Sequence, residues 1–288
     1  MKLVQMISAA IRPGGRNGAE PVLQAKTTSV IPARPQPERA GGNKFAGTIS
    51  VVGGLLFWEI LSRFVIGNTL FLASPSQILV AIYDLTMTGE MGAHVSISAI
   101  EFALGYVIAS VIGIALGFGM ASNETFKQAM QPWISGLYAT PTIALAPLFI
   151  LWLGIGIWSK VLVVIFLVLF PVTINTEAGL RTTSERLIEM LKSFGASGSQ
   201  IFFKVSLPSA VPFILAGLKL GIGRGLIGVV VAELFGSRAG LGRLIAQAAD
   251  SFNMPELFAG VIVLAVAGIA MTACFGWLEK RLVPWTKD

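Results

Sequence analysis

The feature that most constrains this chain is a recurrence of apolar runs near the ~20 residues that an α-helix needs to cross a hydrocarbon core. The runs lie near 45–66, 95–119, 132–154, 157–178, 212–236 and 257–278, which makes six candidate spans. Inside a bilayer no water satisfies the backbone amides, so each segment must pair its own, and a helix does so. The expected fold is therefore all-α and integral to a membrane. Composition points the same way. The 288 residues are 54% hydrophobic and 12% charged, against about 25% charged in an ordinary soluble domain. The net charge of +6 does not signal nucleic-acid binding, because Lys and Arg fall outside or at the ends of the apolar runs and lack interleaved aromatic platforms.

Residues 1–44 are a different material. Pro13, Pro21, Pro32, Pro35 and Pro37 stand among glycines and scattered basic residues, a mixture that cannot bury a core, and a disordered basic tail is expected. The membrane-spanning remainder is 45–288. The connection 67–94, with Ser74-Pro75-Ser76, Asp84, Glu90 and His94, is too polar to cross, although Gln77 to Met87 could lie on the surface as a short helix. Cys274 sits in an apolar stretch and reads as a small packed side chain.

Orientation follows from the bias of Lys and Arg toward the cytoplasmic side. With the tail inside, that side holds Lys2, Arg12, Arg16, Lys26, Arg34, Arg39 and Lys44, then Lys127, then Arg181, Arg186, Lys192 and Lys204, then Lys280, Arg281 and Lys287. The other side holds Arg63, Lys160, Arg238 and Arg243. Leaving out the tail does not reverse the bias, so both termini are expected in the cytoplasm.

The connection 179–211 carries the most specific local signals. Thr182 with Glu185 has capping-box spacing, which predicts a helix through Phe194 with Leu187, Ile188 and Leu191 on one face. Gly195 then supplies a residue able to end a helix in the left-handed region. Ser197 with Gln200 repeats the capping pattern before Ile201, Phe202, Phe203 and Val205, and Pro208 and Pro212 are expected to end that second helix before the fifth span. Two amphipathic helices at an elbow present an apolar face. That face suits either a docking partner or the lipid headgroups.

Charges and helix breakers inside the spans supply the remaining candidates. Arg224 falls near the middle of the fifth span, where a cation needs a partner or water. It is either a pathway group that attracts an anionic solute or the partner of Glu59 or Glu101. Lys219 is placed to snorkel to the headgroups, and Glu233 either serves an outer gate or faces water. Thr140, Pro141, Thr142 and Pro147 interrupt the third span, as a pore lining or a plain kink would. Gly217, Gly221 and Gly225 recur every four residues and form a smooth ridge, usable at a dimer interface or for packing within one subunit.

Glu189-Met190-Leu191, then Gly195, then Val205-Ser206-Leu207-Pro208 resembles the EAA loop of ATP-binding cassette (ABC) importer permeases, with Met190 and Leu191 in place of its two alanines. Thr140-Pro141-Thr142-Ile143-Ala144, Trp152-Leu153-Gly154-Ile155-Gly156, Gly223-Arg224 through Val231-Ala232-Glu233, and Gly240-Leu241-Gly242 look like the nitrate, sulfonate, taurine and bicarbonate branch of that family. The resemblance implies a type I importer permease in the bacterial inner membrane. It implies that Glu189, Met190, Leu191, Gly195, Ala196, Ser197, Leu207 and Pro208 couple it to a separate ABC ATPase present in two copies. It further implies a second permease subunit as a homodimer, and an extracytoplasmic solute-binding protein. The chain contains no G-x-x-x-x-G-K-[ST] phosphate loop, so no cofactor or metal is expected in it, and ATP and magnesium would belong to the partner ATPase.

Other classes fit less well. An ion-coupled secondary transporter predicts inverted repeats with paired interrupted helices and midplane carboxylates, and no convincing repeat is visible. His94 is the single histidine, which excludes bis-histidine haem ligation within one chain and disfavours Ser-His catalysis.

Overall fold

The computed structural model describes residues 44–282, and regular structure among them is helical. The tail expected over 1–44 lies outside the described residues, save for the backbone of Lys44. The chain divides into a unit ending at Gly47 and one from Thr48 onward, and the packing below is that of the second. In order the helices are α1 (Lys44–Ile60, continued by a wide π turn Leu61–Ile66), α2 (Pro75–Met87), α3 (Glu90–Ser122), α4 (Glu124–Ala139), α5 (Ala146–Leu153), α6 (Ile157–Arg181), α7 (Glu185–Ser193), α8 (Gly198–Ile201), α9 (Leu207–Gly236), α10 (Leu241–Asp250) and α11 (Met254–Leu282). Among the described residues five stretches are long and apolar enough to cross a membrane, or up to six if the bent pair α4 and α5 is one span.

That bent pair lies in the third span expected over 132–154, at the residues expected to interrupt it. Pro141 disfavours helical geometry at the residue before it, Thr140 is extended at φ −71° and ψ 134°, and α5 leaves α4 at 84°. The prolines of the fifth span have the opposite outcome. Pro208 and Pro212 do not end the preceding helix, because Gly198–Gly236 runs on as one helical stretch of 39 residues. A π turn over Phe202–Ser206 leads into α9, and Leu207 N–H bonds Phe202 O across it. The wider turn moves the upstream carbonyls away from the position where the Pro208 ring would otherwise clash.

The core is built on α6, which packs between α3 and α9. Val161, Val163, Val164, Val168, Phe170 and Val172 are buried on it, and glycines on both neighbours admit these side chains. A Cβ at Gly105 or Gly117 of α3 would stand 2.6 Å from the Cβ of Val164 or Thr176. At Gly217 or Gly225 of α9 it would stand 2.8 Å from Asn175 Cβ or 2.9 Å from the Phe102 ring. The expected glycine ridge therefore lies against helices of the same subunit, and its use as a dimer contact is not what this packing provides. A separate apolar cluster joins α2, α10 and the start of α11 through Ala73, Ile78, Leu85, Leu241, Leu244 and Ala259. Helix α10 has no counterpart in the sequence reading, which ran the fifth span into a loop.

Candidate functional site

At one end of the bundle α7 and α8 form the elbow. Helix α7 starts at Glu185 as the spacing predicts, but not through the expected cap. Thr182 Oγ1 donates to Gly179 O at 2.6 Å and so closes α6, while Ser184 occupies the cap position without a side-chain bond. Gly195 has φ +80° and makes the bend. Ser197 and Gln200 form both reciprocal bonds of a capping box: Gln200 N–H to Ser197 Oγ at 3.3 Å, and Ser197 N–H to Gln200 Oε1 at 2.9 Å.

The elbow has an inner and an outer apolar side. Ile201 is buried, with Ile188, Leu191, Ala196, Leu207 and Pro208 half-buried. Phe202 packs on Phe118 of α3 at 5.7 Å, beside the buried trio Leu180, Ala210 and Ile214. The outer side leaves Phe194 80% and Phe203 64% exposed, with Leu187, Met190 and the carboxylate of Glu189 also exposed. Behind the elbow, Arg181 bonds Glu124 at 2.6 Å and Glu177 at 3.0 Å, and Lys127 bonds Glu177 at 2.8 Å. These ion pairs join α4 to the end of α6. The elbow thus has an anchored root and an uncovered apolar front.

Midway along α9, Arg224 does not pair with Glu59 or Glu101. Its guanidinium donates to Tyr138 Oη at 2.8 Å and lies 4.8 Å from the centre of the Tyr138 ring. Glu59 instead binds Arg63 and accepts from Ser76 Oγ at 2.8 Å and Ser76 N–H at 3.1 Å. Of the other residues expected along a path, Thr140 is half-buried and donates to Gly136 O at 2.9 Å, while buried Thr142 donates to Thr140 O at 3.3 Å. Both hydroxyls satisfy carbonyls at the helix break. Lys219 lies 3.8 Å from Glu279.

Glu233 neither faces water nor lines an opening in this conformation; it is fully buried. Its carboxylate accepts from Ser98 Oγ at 2.6 Å and from Gly242 N–H at 2.6 Å. Ser98 Oγ in turn accepts from Leu241 N–H at 2.8 Å, and His94 Nδ1 accepts from Gly240 N–H at 3.0 Å. His94 is therefore on α3 rather than in a loop. Beside these groups Lys160 meets Glu101 at 3.4 Å, both buried, and the other Glu101 oxygen, Oε2, is buried without a hydrogen-bond partner. The cluster fastens the turn into α10 to α3, α6 and α9. Its sequence signal is a spacing: His94, Ser98 and Glu101 are four and three residues apart, a polar stripe down one face of an otherwise apolar helix. Lys160, counted among topology charges, is one of its members.

The sequence model of the family described as binding-protein-dependent transport system inner membrane component matches residues 109–288. The formylaminopyrimidine transport permease protein of Halalkalibacterium halodurans is 35% identical over 81% of this chain and 92% of that protein. The taurine transport system permease protein of Escherichia coli is 31% identical over 83% of this chain and 88% of its own length. The riboflavin transport system permease protein of Chloroflexus aurantiacus is 32% identical over 80% and 86%.

Proposed function

The chain belongs to the family of binding-protein-dependent transport system inner membrane components, and on that premise we propose that its elbow is the coupling element of an ABC importer. As a permease it contributes the translocation pathway and is not itself an enzyme. The reading places ATP hydrolysis, with ATP and magnesium, on a separate ABC subunit present in two copies. It pairs this chain with a second copy of itself and takes solute from an extracytoplasmic binding protein. Both termini and the elbow lie in the cytoplasm of a bacterium whose inner membrane holds the complex. The solute is a small anion of the sulfonate, taurine, nitrate or bicarbonate type, a choice supported by the taurine permease relative and by the motifs around Thr140 and Glu233; other relatives are named for heterocycles.

One observation carries the coupling role: an apolar front on a root tied into the bundle. Phe194 and Phe203 are exposed while Phe202 and Ile201 are held against α3 and α9. Exposed aromatics on a rigid mount suit insertion into a protein cleft, where buried aromatics supply much of the binding energy. Because α8 continues into α9, a displacement of the elbow passes along one unbroken helix into the membrane. Glu189 offers a charge for the partner, and Gly195 holds the bend at a φ that costs other residues about 1–2 kcal/mol.

Copurification tests this. Glu189→Ala and Gly195→Pro are expected to lower ATPase attachment or ATP-dependent uptake several-fold while leaving the chain inserted in the membrane. Normal attachment and uptake in both variants would remove the elbow from the mechanism.

A further inference from the structure

We propose that Arg224, oriented by Tyr138 at the break of the third span, is a fixed cationic seat for the oxyanion head of the solute. This rests on the permease reading above and supplies the residues that would enforce an anionic solute. Arg224 stands roughly 26 Å along α9 from Leu207 and roughly 18 Å from Gly236 at 1.5 Å per residue. A cation at that depth persists where protein, water or a counter-charge meets it.

Several other cations in or near the spans have acids, while Arg281, at the end of α11, lies over the Trp277 ring. Arg63 has Glu59, Lys160 has Glu101, Arg181 has Glu124 and Glu177, and Lys219 has Glu279. Arg224 differs: its partners among the described residues are the Tyr138 hydroxyl and ring, and its side chain is exposed. A carboxylate would cancel the charge. A phenol orients the guanidinium and leaves the charge intact, with four of its five N–H donors unspent. A planar fork with free donors matches a sulfonate or carboxylate two oxygens at a time.

The mount is rigid. Tyr138 meets Phe170 edge-on at 6.3 Å, Phe170 meets Phe166 at 6.2 Å, and Phe166 meets Phe149 at 5.2 Å. Phe149 and Phe170 are each 3% exposed, so an aromatic ladder rooted in α5 and α6 fixes the ring under the guanidinium. Tyr138 acts through Arg224 and is a positioning residue. Leu220 and Ile227, one turn to either side of Arg224, are 56% and 54% exposed and mark the face that the seat would serve.

The test uses the full chain assembled with its ATPase in proteoliposomes, with Cys274→Ala as background. Leu220→Cys and Ile227→Cys are reacted separately with two membrane-impermeant methanethiosulfonates, one bearing an ethylsulfonate and one an ethyltrimethylammonium. Each rate is divided by that reagent's rate with free 2-mercaptoethanol. The anionic reagent is expected to be favoured about tenfold, the ratio that opposite unit charges experience roughly 6 Å from one cation in a watery path. Arg224→Gln brings the ratio to about one, Arg224→Lys retains a preference, and Tyr138→Ala falls between.

A second measurement leaves Arg224 in place: raising salt to 1 M, where the Debye length is about 3 Å, should abolish the preference. Failure of both reagents to react, as lipid or a partner's acid covering the face would cause, overturns the proposal. So does a preference that survives Arg224→Gln, and a ratio unchanged by Tyr138→Ala removes Tyr138 from the seat. Normal ATPase attachment in the same preparations would show that the coupling reading stands even where this one falls.

Discussion

Lys160 is an ammonium 4% exposed, 3.4 Å from the carboxylate of Glu101, which is 2% exposed. Desolvating such groups is costly, and the attraction within the pair offsets part of the cost, although Glu101 Oε2 is buried without a hydrogen-bond partner. Removing the cation strands the Glu101 carboxylate, and breaking a buried pair costs about 3–5 kcal/mol. Lys160→Met is therefore expected to lower the temperature at which the detergent-solubilised protein loses its monodisperse peak. Adding Glu101→Leu should recover a substantial part of the loss, since it replaces an orphaned charge by an apolar side chain. A single variant as heat-resistant as the parent would show that the cluster contributes nothing to stability. Gly242 belongs to the same arrangement: a Cβ there would press on Val230 O and stand 2.8 Å from Glu233 Cβ, so the amide that caps Glu233 needs a glycine.

On α9 two glycines six residues apart make opposite demands. At Gly217 a Cβ would lie 2.8 Å from Asn175 Cβ and 3.2 Å from Val172 Cα, whereas at Gly223 nothing lies within 4 Å. Gly217→Ala forces α9 away from α6 and is expected to destabilise by about 1–3 kcal/mol. Gly223→Ala should be neutral or stabilise by up to about 1 kcal/mol through helix propensity. Thermal dispersion assays on the two variants decide the matter, and equal effects would mean that the ridge is not a packing contact. The four-residue spacing made this ridge legible, because close approach requires small side chains at one helical face. The spacing could not say which helix approaches. The elbow was legible in the same way: Gly195 and the Ser197 and Gln200 pair act within a few residues of chain. Ser184 rather than Thr182 takes the cap position of α7, because a hydroxyl can close the preceding turn as readily as open the next.

Across the whole molecule the elbow and α10 sit at opposite ends of the spans, for α9 leads from one to the other. Single cysteines in the Cys274→Ala background test the proposed orientation. In intact spheroplasts an impermeant maleimide should label Asp250→Cys and spare Lys192→Cys until the membrane is opened. The reverse pattern would invert the chain in the bilayer and place the elbow out of reach of a cytoplasmic ATPase. The ion pairs of Glu124, Lys127, Glu177 and Arg181 bear on this as well. Basic residues that carry the expected topology bias in the sequence also join α4 to α6 beneath the elbow.

By itself the sequence determined the helical membrane fold, the approximate spans, the bent elbow and the family. Hydropathy, turn chemistry and caps act over one segment of chain and need no knowledge of its neighbours. Tertiary structure decided everything that depends on which segments meet. Ser98 reaches Glu233 across 135 residues and Tyr138 reaches Arg224 across 86, distances over which no periodicity carries information. A charge within a span declares that it needs company, but the identity of its partner is fixed only when the helices pack, because that is when burial removes water as the alternative.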